Sequence, residues 1–181
     1  MRKLNAILAM GTVVMFLVHA VMGGMILMGF IPGGNTVMKV LAEVMMICIT
    51  GHVILSIKLT ADTVIAVKRS GAHYFKENKM FWIRRISGLA VMLFIVAHLE
   101  IFGKDGGDPV RLALFEGPQL VTQLLLVVSL IVHILTNIRP LMLSLGAKSY
   151  KELALDIVLI LSMILLFAGA GFAVYYFRWQ A

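Results

Sequence analysis

Residues 118–139 read PQLVTQLLLVVSLIVHILTNIR, with no charged side chain from Pro118 to Ile138 and a histidine at position 133. At 1.5 Å per residue, a helix of this stretch spans ~30 Å, the hydrocarbon thickness of a bilayer. A run so long and so apolar reads as a membrane-crossing helix. His133 is then an ionisable ring placed in lipid, which is costly and calls for a partner. Both features recur along the chain, and together they decide the fold class.

Working outward, five segments qualify as spans, at about 4–30, 36–69, 81–103, 118–145 and 150–178. The expected fold is all-α, a five-helix transmembrane bundle in a single domain over 1–181. Ile31-Pro32-Gly33-Gly34-Asn35 ends the first helix, and Ser70-Gly71 ends the second, whose amphipathic continuation from Lys58 to Arg69 is expected to project from the membrane. Residues 71–80 and Gly103–Pro109 read as loops. The apolar run after Met1-Arg2-Lys3 is too long for a cleaved signal peptide and is expected to be a retained helix. Trp82 marks a membrane interface, and Tyr175, Tyr176 and Trp179 are expected to form an aromatic belt.

Composition agrees. The 181 residues are 61% hydrophobic and 14% charged, and the mean hydropathy is +0.99. A small soluble domain cannot hide such an excess of apolar surface. The net charge of +7 does not signal nucleic acid, because the cations sit in short clusters between apolar runs, with no basic stripe. They read as topology signals. With the N-terminus cytoplasmic, twelve of the sixteen Lys and Arg fall inside and four outside, which places the C-terminus outside. The expected location is the bacterial inner membrane, as a multi-pass protein. Cys48, inside an apolar run, reads as a packing residue, leaving neither a disulfide framework nor a CxxC site.

His19, His52, His98 and His133 fall one on each of the first four helices, whereas His73 lies in a polar loop. A single such ring is commonly hydrogen-bonded to a neighbouring helix; four together call for a joint explanation. His52 lies six residues before Lys58 and His133 six before Arg139, so both stand ~9 Å above the cytoplasmic surface. His98 is thirteen residues after Arg85 and His19 sixteen after Lys3, or ~20 and ~24 Å from the same surface. The expectation is two levels, His52 with His133 inside and His19 with His98 outside, ~10–15 Å apart. Two imidazoles at one depth can grip a flat macrocycle as axial iron ligands, leaving no open position for substrate. Gly23, Gly24, Gly51 and Ser87-Gly88 near these ligands suit a bulky cofactor and equally suit close helix packing. Lys58, Arg84, Arg85 and Arg139 are candidate haem-propionate partners or simply topology cations.

One histidine on each of four helices, with Arg84-Arg85-Ile86-Ser87-Gly88 leading to Phe94-Ile95-Val96-Ala97-His98 and with Val132-His133-Ile134-Leu135-Thr136-Asn137, resembles one family over essentially the whole chain. That family is the di-haem cytochrome b membrane anchor of succinate dehydrogenases and fumarate reductases. The resemblance implies two b haems, with His52 and His133 holding the one nearer the flavoprotein and iron–sulfur subunits and His19 and His98 holding the distal one. It also implies a quinone site near one haem, with menaquinone the expected form, and cytoplasmic docking of the catalytic subunits on the basic region 58–85. The chain departs from the family in being short, with almost nothing ahead of the first helix and only a small link between the first two. Ile131 stands where some di-haem members carry an acid, which bears on any proton route through that position.

Glu43, nine residues before His52, lies ~13 Å nearer the outside. It is a candidate proton carrier for quinone chemistry, or an acid paired with Lys39; Glu100 is a weaker candidate. The chain carries no flavin fingerprint and no cluster cysteines, so hydride and dicarboxylate chemistry would belong to partners. The alternatives are an anchor of another quinone-linked oxidoreductase, of hydrogenase or formate dehydrogenase type, and a haem-free anchor or small transporter. Against the transporter stand the lack of inverted repeats and of interrupted helices.

Overall fold

Caps and glycines at the segment ends divide the chain into helices. The computed structural model describes residues 1–71, 73, 78–103, 115–146 and 151–180, with backbone only at 151–154 and 179–180. Among them are five helices: α1 (Arg2–Leu27), α2 (Thr36–Ser70), α3 (Lys79–Phe102), α4 (Gly117–Ser144) and α5 (Lys151–Gln180). All five are long and apolar enough to cross a membrane. Asn35 Oδ1 accepts from the Val37 N–H at 2.8 Å to start α2, and Asn78 Oδ1 accepts from the Phe81 N–H at 3.1 Å to start α3. A capping box of Glu116 and Gln119 starts α4. The loop expected at 103–109 lies outside the described residues beyond Gly103, as does most of the connection at 71–80.

α1 stops three residues before the hydropathy predicts. Gly29 takes a left-handed conformation, φ +79°, and the N–H groups of Gly29 and Phe30 return to the carbonyls of Ile26 and Met25, both at 2.9 Å. This pair of bonds closes a helix around a left-handed glycine. Arg178 Nη1, from the end of α5, donates to the Leu27 carbonyl at 3.1 Å. Its guanidinium fills the space that a Cβ on Gly29 would need. At 35 residues, α2 is ~52 Å long, roughly 20 Å more than the hydrocarbon layer.

α1 packs on α2 and α3 on α4, and α5 joins these two hairpins by packing on both α1 and α4. The α1–α5 crossing is close because two glycines meet: a Cβ on Gly171 would lie 3.3 Å from Gly24 Cα, and one on Gly24 would enter the Phe167 ring. Gly24 therefore serves helix packing. Gly51 likewise lies beside Leu8, and Gly23 faces open space.

Ile47, Leu89 and Leu166 are each about 70% exposed, at 73, 71 and 69%. Surfaces this apolar suit lipid. Hydroxyls turn inward on their own helices, as Thr12, Thr50 and Thr136 do toward the carbonyls of Leu8, Met46 and Val132. The buried core is an aromatic cluster in which Phe115 and Tyr175 pack edge to face at 4.9 Å beside Phe102 and Phe172. Tyr175 is thus a core residue, contrary to the expected aromatic belt. Leu161, Leu165, Phe172 and Tyr175 recur at helical spacing on one buried face of α5. Tyr176 is partly buried, and the Trp179 side chain lies outside what is described.

Candidate cofactor site between two helix hairpins

One pair of histidines meets across the two hairpins, and a second lies within electrostatic range. His19 on α1 faces His98 on α3, with ring centres 6.2 Å apart and planes inclined by 71°. His52 on α2 lies within electrostatic range of His133 on α4, and the Arg85 guanidinium lies near both. Among the described residues, the close backbone contacts do not include an α1–α3 or α2–α4 pairing comparable to those within the hairpins. Each histidine pair therefore spans a gap that side chains, and not packed backbones, bridge.

Contacts on α3 and α4 measure the distance between the pairs. Ser87, which touches His133, and His98 are eleven residues apart on α3, or ~16 Å. Gln123, which touches His98, and His133 are ten residues apart on α4, or ~15 Å. The pairs occupy two levels along the bundle.

The hairpin of α3 and α4 seats its histidines reciprocally. Gln123 on α4 reaches His98 on α3, with Oε1 2.8 Å from Nδ1. Ser87 on α3 reaches His133 on α4, with Oγ 3.3 Å from Nδ1. Gly88 completes the second seat, because a Cβ there would stand 3.0 Å from His133 Cε1. Ser87 and Gly88 thus belong to His133, whereas their sequence position had associated them with His98. His98 is further packed by Phe102 and Phe172, at ring distances of 5.0 and 6.3 Å. The first hairpin differs: Nδ1 of His19 and Nδ1 of His52 are buried without a hydrogen-bond partner. The His52 ring nevertheless has the Asn5 backbone as a hydrogen-bond partner.

The four candidate cations separate by position. Lys58 and Arg139 are exposed. Arg84 donates through Nε to the Thr136 carbonyl at 2.9 Å, which commits that nitrogen to helix packing. Arg85 lies over the Phe81 ring, 5.1 Å from its centre, and is within electrostatic range of His52 and His133. Glu43 and Lys39 are both exposed. Nine residues at 100° each turn Glu43 to the face of α2 opposite His52. A separate lipid-side groove of about 420 Å³ between α1 and α2 is lined by Met15, Thr36, Val37, Val40, Leu41 and Val44, and Glu43 is not among its lining residues. Glu100 and His73 are exposed, and Cys48 is a partly buried free thiol.

The His19–His98 pair has the spacing of two imidazoles on one metal. A metal-bound imidazole nitrogen stands about 2.0 Å from its ion and about 1.1 Å from its own ring centre, so one ion between two such nitrogens puts the ring centres roughly 6 Å apart. The His19–His98 separation matches that spacing. Side-chain partners on Nδ1, as at His98 and His133, are what orient a ligating histidine. Among the described residues, no group of three or more His, Cys, Asp or Glu converges.

The sequence reading missed Gln123, Ser87 as a partner of His133, and Pro140. A glutamine inside the uncharged run 118–138 was the available signal, since a buried amide in lipid needs a partner. Comparison with protein families, with curated proteins and with solved structures gives no match to this chain.

Proposed function

We propose that the chain is the haem-bearing membrane anchor of a succinate:quinone oxidoreductase or quinol:fumarate reductase in a bacterial inner membrane. Its N-terminus is then cytoplasmic, with the flavoprotein and iron–sulfur subunits docked on that side. The observation that carries the reading is the meeting of His19 and His98 across the gap between two helix hairpins, with His52 and His133 as a second pair within electrostatic range on the other helix of each hairpin. His19 and His98 would hold one b haem, and His52 and His133 the other. Bound there, the haems would supply one-electron transfer between a membrane quinone and the partner subunits.

The chain's own residues contribute seating and exclusion. Gln123 and Ser87 orient two of the rings, and the Phe102–Phe172 packing shields His98 from solvent. Arg85, near His52 and His133, is the best placed of the four cations to meet a propionate. The α1–α2 groove opens to lipid near Met15, one turn from His19, and supports entry of a quinone such as menaquinone at that level.

The test is the purified chain's haem content and its reduced-minus-oxidised spectrum. Two low-spin b haems per chain are expected, and none would end the proposal. Copurifying subunits then distinguish the succinate/fumarate complex from an anchor of hydrogenase or formate dehydrogenase type.

A further inference from the structure

Gln123 is fully inaccessible, although it sits within a membrane-length apolar helix. Buried amides persist where their donors and acceptor are engaged, and here the engagement has a direction. Thr122 Oγ1 gives its hydrogen to the Gln119 carbonyl at 2.8 Å, so it presents a lone pair to Gln123, whose Nε2 donates to it at 3.3 Å. That turns Oε1 toward His98 Nδ1, 2.8 Å away. An amide oxygen can only accept. Nδ1 therefore carries the proton, and Nε2 is left with the lone pair. The Gln119 side chain in turn accepts the Glu116 N–H at 3.1 Å, which ties this chain of bonds to the first turn of α4.

We infer that Gln123 is a positioning residue, which selects the His98 tautomer with a bare Nε2 and sets the donor strength of that nitrogen. The redox consequence rests on the two-haem reading; the tautomer rests on the hydrogen bonds alone. An acceptor on Nδ1–H makes the opposite nitrogen a stronger donor, which favours the oxidised metal. Losing the acceptor raises the midpoint potential of the His19–His98 site, and a carboxylate in its place lowers it. Ser87→Ala is the control, because Ser87 touches His133 alone of the four histidines.

The experiment combines redox titration of the haem absorbance with 15N NMR of the histidine-labelled full chain, for wild type, Gln123→Leu, Gln123→Glu and Ser87→Ala. With two haems bound, Gln123→Leu is expected to raise one midpoint, Gln123→Glu to lower the same one, and Ser87→Ala to leave it in place. Two haems with both midpoints unmoved in the Gln123 variants would overturn the inference and leave the haem reading standing. A haem-free wild type would overturn the haem reading instead. In that case, an Nδ1-protonated His98 in the wild-type 15N spectrum supports the role of Gln123, and a mixed or Nε2-protonated ring refutes it. The wild-type spectrum needs no variant to fold.

Discussion

Arg84 on α3 donates through Nε to the Thr136 carbonyl on α4 at 2.9 Å, and that carbonyl is the one whose helical donor Pro140 removes. A proline in a helix leaves the carbonyl four residues earlier without its N–H partner, and in lipid no water replaces it. The arginine repairs the gap from the neighbouring helix. Arg84 also accepts at its own carbonyl from Ser87 Oγ at 3.3 Å, so the same turn of α3 mends α4 and seats His133.

This coupling predicts a dependence between two substitutions. Arg84→Leu is expected to destabilise the protein by about 1–3 kcal/mol, the range for leaving a buried acceptor unpaired. In a Pro140→Ala background, where residue 140 regains its N–H, the same change should cost distinctly less. Thermal unfolding of the four chains in one detergent measures the coupling. Equal losses in both backgrounds would show that Arg84 does not serve the Thr136 carbonyl.

Gly88 is predicted to be a selective lesion site. A Cβ at 88 meets the His133 ring at 3.0 Å, whereas a Cβ at 23 meets nothing within 4 Å. Gly88→Val should therefore remove the haem assigned to His52 and His133 and spare the other, and Gly23→Ala should leave both. Haem-to-protein ratios check this, with about half the wild-type value expected for Gly88→Val.

Helix number, and the positions of the α2 start at Thr36 and its end at Ser70-Gly71, were legible because hydropathy and capping residues are local signals. The end of α1 was not. Phe30 and Ile31 prolong the apolar run, while Gly29 has already turned the backbone over against Arg178, which lies far away in sequence. Tyr175 misled for a related reason: an aromatic near a helix end suits an interface or a core, and its rotation toward Phe115 decides which. The helices that carry the histidines were legible from the apolar runs around them. Their seats were not, because Ser87 is near His98 in sequence but near His133 across the α3–α4 crossing.

Glu43 offers a kinetic test of the quinone end. As an exposed acid on a membrane-crossing helix, it is predicted to slow quinol or quinone turnover when changed to Gln, with both haems retained. Steady-state turnover and haem content of Glu43→Gln in the assembled complex decide the matter, and unchanged turnover would remove Glu43 from any proton route.

The pairing of histidines across the hairpins is the central claim, and haem content of the four single His→Leu variants tests it most directly. Two haems are predicted in the wild type, with the same spectral component lost in His19→Leu and His98→Leu, and the other lost in His52→Leu and His133→Leu. No haem in the wild type, or losses grouped in any other way, would contradict the account.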